Sequence, residues 1–172
     1  MNYQDIIHQL HNLSSEKYKS HIIKMGIPAL NCLGVPLQDI RQLAKTIGHS
    51  NQLGFQLWKS QYHDAKLLAV LIFEYKQMTF DDINLLIKDV ISWDLCNHLC
   101  KNLIIKIKGY QLLIPQWVTS QHNYVKRAAF VLLACEMCIR DRIYLVQSIE
   151  RPFDVAKMDI SLLLYLINNY FQ

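Results

Sequence analysis

Apolar residues recur at spacings of three and four along most of the chain, and Ser, Thr, Gly and Pro punctuate the runs. That pattern predicts short amphipathic helices and no strands. Asn2–Asn12 reads as the first, with Ile6, Ile7 and Leu10 on its apolar face. Ser14 or Ser15 opens a second that runs to about Met25 and is stopped by Gly26 and Pro28. Leu30–Val35 is a loop, and Pro36 suits the first position of a helix ending at Gly48. Three pairs of helices follow. They are Asn51–Ser60 with Tyr62–Lys76, Thr79–Ile91 with Ser92–Lys108, and Tyr110–Ser120 with His122–Cys135.

Helices of this length joined by turns of a few residues pack antiparallel. The pairs also repeat. A shift of 60 positions aligns Ser60-Gln61 with Ser120-Gln121, Lys66 with Lys126 and Ala69 with Ala129, with Trp58 and Trp117 one residue out of register. The predicted fold is therefore all-α, a right-handed superhelix (α-solenoid) of HEAT-like antiparallel hairpins. One repeat position changes character: Leu67 becomes Arg127. That arginine is either a salt bridge at a helix edge or a residue facing a ligand groove.

Composition narrows the class. The 172 residues are 52% hydrophobic and 19% charged, enough for one globular core, and five Gly with four Pro suit a helical chain. The net charge of +4 permits a nucleic-acid partner without requiring one. Five cysteines, Cys32, Cys96, Cys100, Cys135 and Cys138, lie within helical patterns and read as reduced thiols. Cys96 and Cys100 share a helix face, but no second ligand pair follows, so no metal is expected. No signal peptide is indicated, and no apolar run reaches membrane length. These readings predict a cytoplasmic monomer with no cofactor and no membrane contact.

The candidate chemistry centres on Ser92-Trp93-Asp94-Leu95-Cys96-Asn97-His98. Ser92 suits an N-cap and Asp94 the positive first turn of a helix. Trp93 and Asn97, four apart, share a face, and Asp94 neighbours Asn97. An indole beside short polar groups takes a planar ligand and a charge together; the plainer reading is a core tryptophan beside capping residues. Arg41, Lys45, Lys59, Lys66, Lys101, Lys106, Lys108, Lys126 and Arg127 recur on successive hairpins. In a solenoid they either track a phosphate backbone or form a solvated outer face. His63, His98 and His122 read as caps or surface residues.

Five segments in order resemble the DNA alkylation repair enzymes, the AlkD-like HEAT-repeat DNA glycosylases. They are Gly34-Val35-Pro36 with Ile40–Lys45, Leu57–Ser60, His63–Ala69, Ser92–Asn97, and Trp117 with Val125–Ala129. The resemblance spans roughly Tyr18 to Cys135, and implies a curved superhelix holding alkylated double-stranded DNA on a basic concave face. It further implies hydrolysis of the N-glycosidic bond of 3-methyladenine or 7-methylguanine. By this resemblance Trp93 matches a lesion-contacting aromatic, and Arg127 a groove residue on backbone phosphate, with Lys126, Lys66, Arg41 and Lys45 as further backbone contacts. Asn97 stands where active members carry a catalytic aspartate. A cationic base leaves readily, so the enzyme chiefly stabilises positive charge on the sugar and positions water. A carboxylate does both, whereas an amide supplies no charge. Asp94, one turn away, is either a partial substitute for that carboxylate or a residue oriented for capping the helix.

Glu136–Arg142 reads as a translated transposase adapter from a sequencing library, which would make the following frame chimeric; the alternative is a natural heptapeptide. Residues 1–135 then form the HEAT-like domain, shortened relative to the family. Residues 136–172 form a doubtful C-terminal segment, with Ile160, Leu163, Leu164 and Ile167 at helical spacing. Two functions stay open: a DNA glycosylase, or a non-catalytic module binding DNA structures or a protein.

Overall fold

The computed structural model describes residues 1–28 and 31–147, with side chains described as far as Glu136. It divides into two compact units, Met1–Cys135 and Glu136–Gln172. The tail positions from Ile160 to Ile167, and most of the heptapeptide's side chains, lie outside the described residues.

Nine α-helices and no strands occur among the described residues. They are α1 (Tyr3–Asn12), α2 (Glu16–Lys24), α3 (Leu37–Ile47), α4 (Asn51–Trp58), α5 (His63–Ile72), α6 (Phe80–Lys88), α7 (Trp93–Asn102), α8 (Ile114–Val118) and α9 (Asn123–Gln147). Local chemistry sets their starts. Asn2 and Asp5 form a capping box on α1, Thr79 and Asp82 another on α6, and Ser15 and Ser50 cap α2 and α4.

Two layers follow from the side chains that cross between helices. In one, Trp58 at the end of α4 donates its indole N–H to Asp89 after α6 (3.1 Å), and Trp117 of α8 donates to Asn84 of α6 (2.9 Å). In the other, α5 packs on α7, and the α7 thiols of Cys96 and Cys100 point at the carbonyls of Tyr124 and Ala128 in α9. Helices α4, α6 and α8 therefore alternate with α5, α7 and α9, as hairpin repeats require. Helix α5 is the hub. It packs against α3, α4 and α7 and buries Ala65, Leu68, Ala69 and Ile72 completely.

Helix ends depart from the sequence pattern where tertiary contacts compete. Helix α5 stops at Ile72, not Lys76, because Phe73 turns to extended backbone (φ −59°, ψ 135°). Its ring then lies edge-on to Phe55 at 5.0 Å, beside Gly54. The freed Ile72 carbonyl accepts from Ser50 N–H, and Glu74 N–H donates to Asn51, so the head of α4 takes the end of α5. Helix α7 ends at Asn102 rather than Lys108, and Ile104–Lys106 forms a 3₁₀ turn that buries Leu103, Ile104 and Ile107. Helix α8 has only five residues, with Pro115 in its first turn, and is preceded by a 3₁₀ turn at Tyr110–Leu113. Helix α9 continues past Cys135 to Gln147.

Candidate functional site

The heads of α5 and α7 meet. His63, first residue of α5, is buried, and its Nε2 lies 2.7 Å from Asp94 Oδ2 in the first turn of α7. The next residue, Asp64, is 1% exposed and accepts backbone N–H bonds from Leu33 (2.7 Å) and Val35 (2.8 Å). His63 N–H in turn donates to the Asn31 carbonyl at 3.0 Å. Two adjacent side chains thus fasten one helix head to the loop before α3 and to the head of α7. Burial pushes the Asp94 carboxyl up, but the hydrogen bond and charge of His63, helped by Ser92 and the Leu95 N–H, outweigh it and hold Asp94 below its ordinary value. Asp94 is a carboxylate.

Ser92 is the N-cap of α7 by its backbone, yet its hydroxyl makes no capping bond. Asp94 Oδ1 and Asn97 Oδ1 are buried acceptors without a hydrogen-bond partner, one turn apart on the same face. His98 shares that face and is also buried. Its Nδ1 lies 3.1 Å from the Asn102 amide nitrogen, which places the neutral ring's proton on Nε2. Burial lowers His98 from 6.5 to about 4; the Leu67 carbonyl favours protonation and Arg41 opposes it. His63 and His98 are therefore buried network residues, not the caps or surface groups that their positions near helix starts suggest. The signal was weak because the partner of His63 lies 31 residues away.

Trp93 is seated on α2. Its Nε1 donates to the Met25 carbonyl at 3.2 Å, and its ring packs with Tyr18 against Ile22, Ile27 and Cys32. Trp93 is half-buried there, packed on one side and open on the other. Of the basic candidates, Arg41 and Lys45 lie one turn apart and exposed on α3, and the Arg41 charge reaches His98. Arg127 is exposed on α9, and its charge reaches Cys96 and Cys100 of α7. Arg41 and Arg127 therefore act on α7 from two different helices. Lys126 is half-buried. Lys66 instead lies over the Trp58 ring, 5.4 Å from its centroid, which turns it toward α4. The repeat register becomes visible here: Leu67, Asn97 and Arg127 follow at intervals of 30 on α5, α7 and α9. Among the described residues no group of three His, Cys, Asp or Glu is arranged to hold a metal.

The family model for DNA alkylation repair enzymes matches residues 6–170. The chain belongs to the DNA alkylation repair enzyme family. No protein of curated function matches it at a significant level. A solved structure superposes on it with a TM-score of 0.72 at 19% identity, covering 86% of this chain and 67% of the other. That structure is of a new family of proteins related to the HEAT-like repeat DNA glycosylases, with affinity for branched DNA structures. The family member described here thus has the HEAT-like repeat fold. None of its described helices is long and apolar enough to cross a membrane.

Proposed function

We propose that the protein binds duplex or branched DNA along its basic helices and lacks efficient excision of alkylated bases. The observation that carries this reading is the state of the two acidic-type positions on α7. Asn97 stands where the family resemblance expects the catalytic aspartate, and Asp94 is occupied by His63 at 2.7 Å. Losing one charge-stabilising group costs about 3–4 kcal/mol, or roughly 10²–10³ in rate. Trp93 adds to the case, since its indole N–H and much of its ring are engaged by α2. The solved relative's affinity for branched DNA makes a branched structure the first ligand to try.

A second reading rests on Asp94 Oδ1, which has no hydrogen-bond partner. With Asn97 Oδ1 beside it, this ionised carboxylate would stabilise charge on the sugar of a 3-methyladenine or 7-methylguanine nucleotide, and the protein would be a glycosylase. Asn97→Asp separates the two. If binding is unchanged and 7-methylguanine release rises roughly 10²–10³-fold, the absent carboxylate is the reason for weak excision. If the natural chain already releases the base as fast as Asn97→Asp, and Asp94→Asn abolishes release, the glycosylase reading holds.

A further inference from the structure

Helix α2 is lightly held. Of its nine residues only Ile22 is buried, whereas α5 buries seven of ten. Its inner side is made by Ile22 and the half-buried Tyr18, packed with Trp93. Lys17, Ser20, His21 and Lys24, at spacings of three and four, form the opposite side, and all four are exposed. Between Asp5 and Asp39 the sole carboxylate is Glu16. Exposed Ile23 and Met25 flank the stripe at its C-terminal end, 37% and 49% accessible, where Trp93 holds the Met25 carbonyl.

We infer that this face of α2 is a second DNA contact, taking backbone phosphates on Lys17, Ser20 and Lys24 and unstacked bases of a branch point on Ile23 and Met25. It rests on the DNA-binding reading above. Charge complementarity selects the partner: a row of cations and a hydroxyl at one-turn spacing, on a helix whose sole carboxylate is Glu16, matches a phosphate chain. The apolar pair selects the form of DNA, because exposed side chains of this kind gain by contact with bases that have left the stack. Trp93 holds the opposite, inner side of α2 and the Met25 carbonyl at its C-terminal end, and so fixes the helix to the head of α7.

The test is binding of labelled four-way junction and linear duplex by fluorescence anisotropy, between about 50 and 200 mM salt. Each neutralised phosphate contributes about 0.9 to the slope of log affinity against log salt, so Lys17→Ala/Lys24→Ala should flatten it by about 2. Ile23→Ser should weaken junction binding more than duplex binding. Lys88→Ala, exposed on α6, is the comparison and should change neither, and circular dichroism checks that each variant folds. An unchanged slope in the double variant, with the wild-type protein binding DNA, overturns this inference and leaves the proposed function standing. A wild-type protein that binds neither DNA overturns both. A folded double variant that loses affinity for anionic vesicles but not for DNA identifies α2 as a membrane contact instead.

Discussion

His98 is held neutral inside the protein, with its midpoint lowered from 6.5 to about 4. The unfolded chain takes up that proton near 6.5 and the folded chain does not, so stability is complete above 6.5 and is lost as pH falls toward 4. The loss is roughly 3 kcal/mol across that window. Urea unfolding at pH 7 and pH 4.5 should show it, and His98→Gln should flatten the dependence. Asp94 has the same sign for a different reason: its depressed midpoint means that its contribution disappears as pH falls through that midpoint. In His63→Ala the upward push of burial loses its main opponent, so Asp94 titrates higher, as a carboxyl NMR titration would record. At this scale the sequence was half legible. The Ser92–Asn97 stretch stands out locally, but the bond that decides the state of Asp94 joins residues 31 apart. Nothing in their spacing announces it. The setting of Lys66 is hidden for a similar reason: the ring beneath it belongs to the preceding helix, which its repeat partner Lys126 does not announce.

Helix starts were readable because capping is local chemistry, and Asn2, Ser15, Ser50 and Thr79 each bond within their own first turn. Helix ends were less so, because Phe73 and Leu103 leave the helix to fill space against other elements. Two glycines report how tightly these elements close. A Cβ on Gly54 would lie 2.6 Å from the Phe73 ring, so Gly54→Ala should cost about 1–3 kcal/mol by pushing α4 off α5. Gly34 is stricter. Its φ is +78°, and a Cβ there would meet Lys19 Cβ at 2.6 Å and the Ser15 carbonyl at 2.7 Å. Thermal melts should rank Gly34→Ala below Gly54→Ala, and both below Gly26→Ala, where a Cβ meets nothing within 4 Å although φ is +81°.

Across the molecule the repeat is what made the fold legible. Shifting by 60 skips a unit, and α7 occupies the skipped place, so Asn97 falls between Leu67 and Arg127 in one register. Three helices thus offer an apolar, an amide and a cationic group at the same position, and the functional question reduces to the middle one. Its decisive test follows bound DNA and released base in the same single-turnover samples, using duplex carrying 7-methylguanine and a four-way junction. Saturable binding of both, weakened by salt, with base release close to the spontaneous rate, is expected of a DNA-binding protein without efficient excision. Rapid release by the natural chain under saturating protein would contradict it, and would make Asp94, not the position of Asn97, the centre of the chemistry.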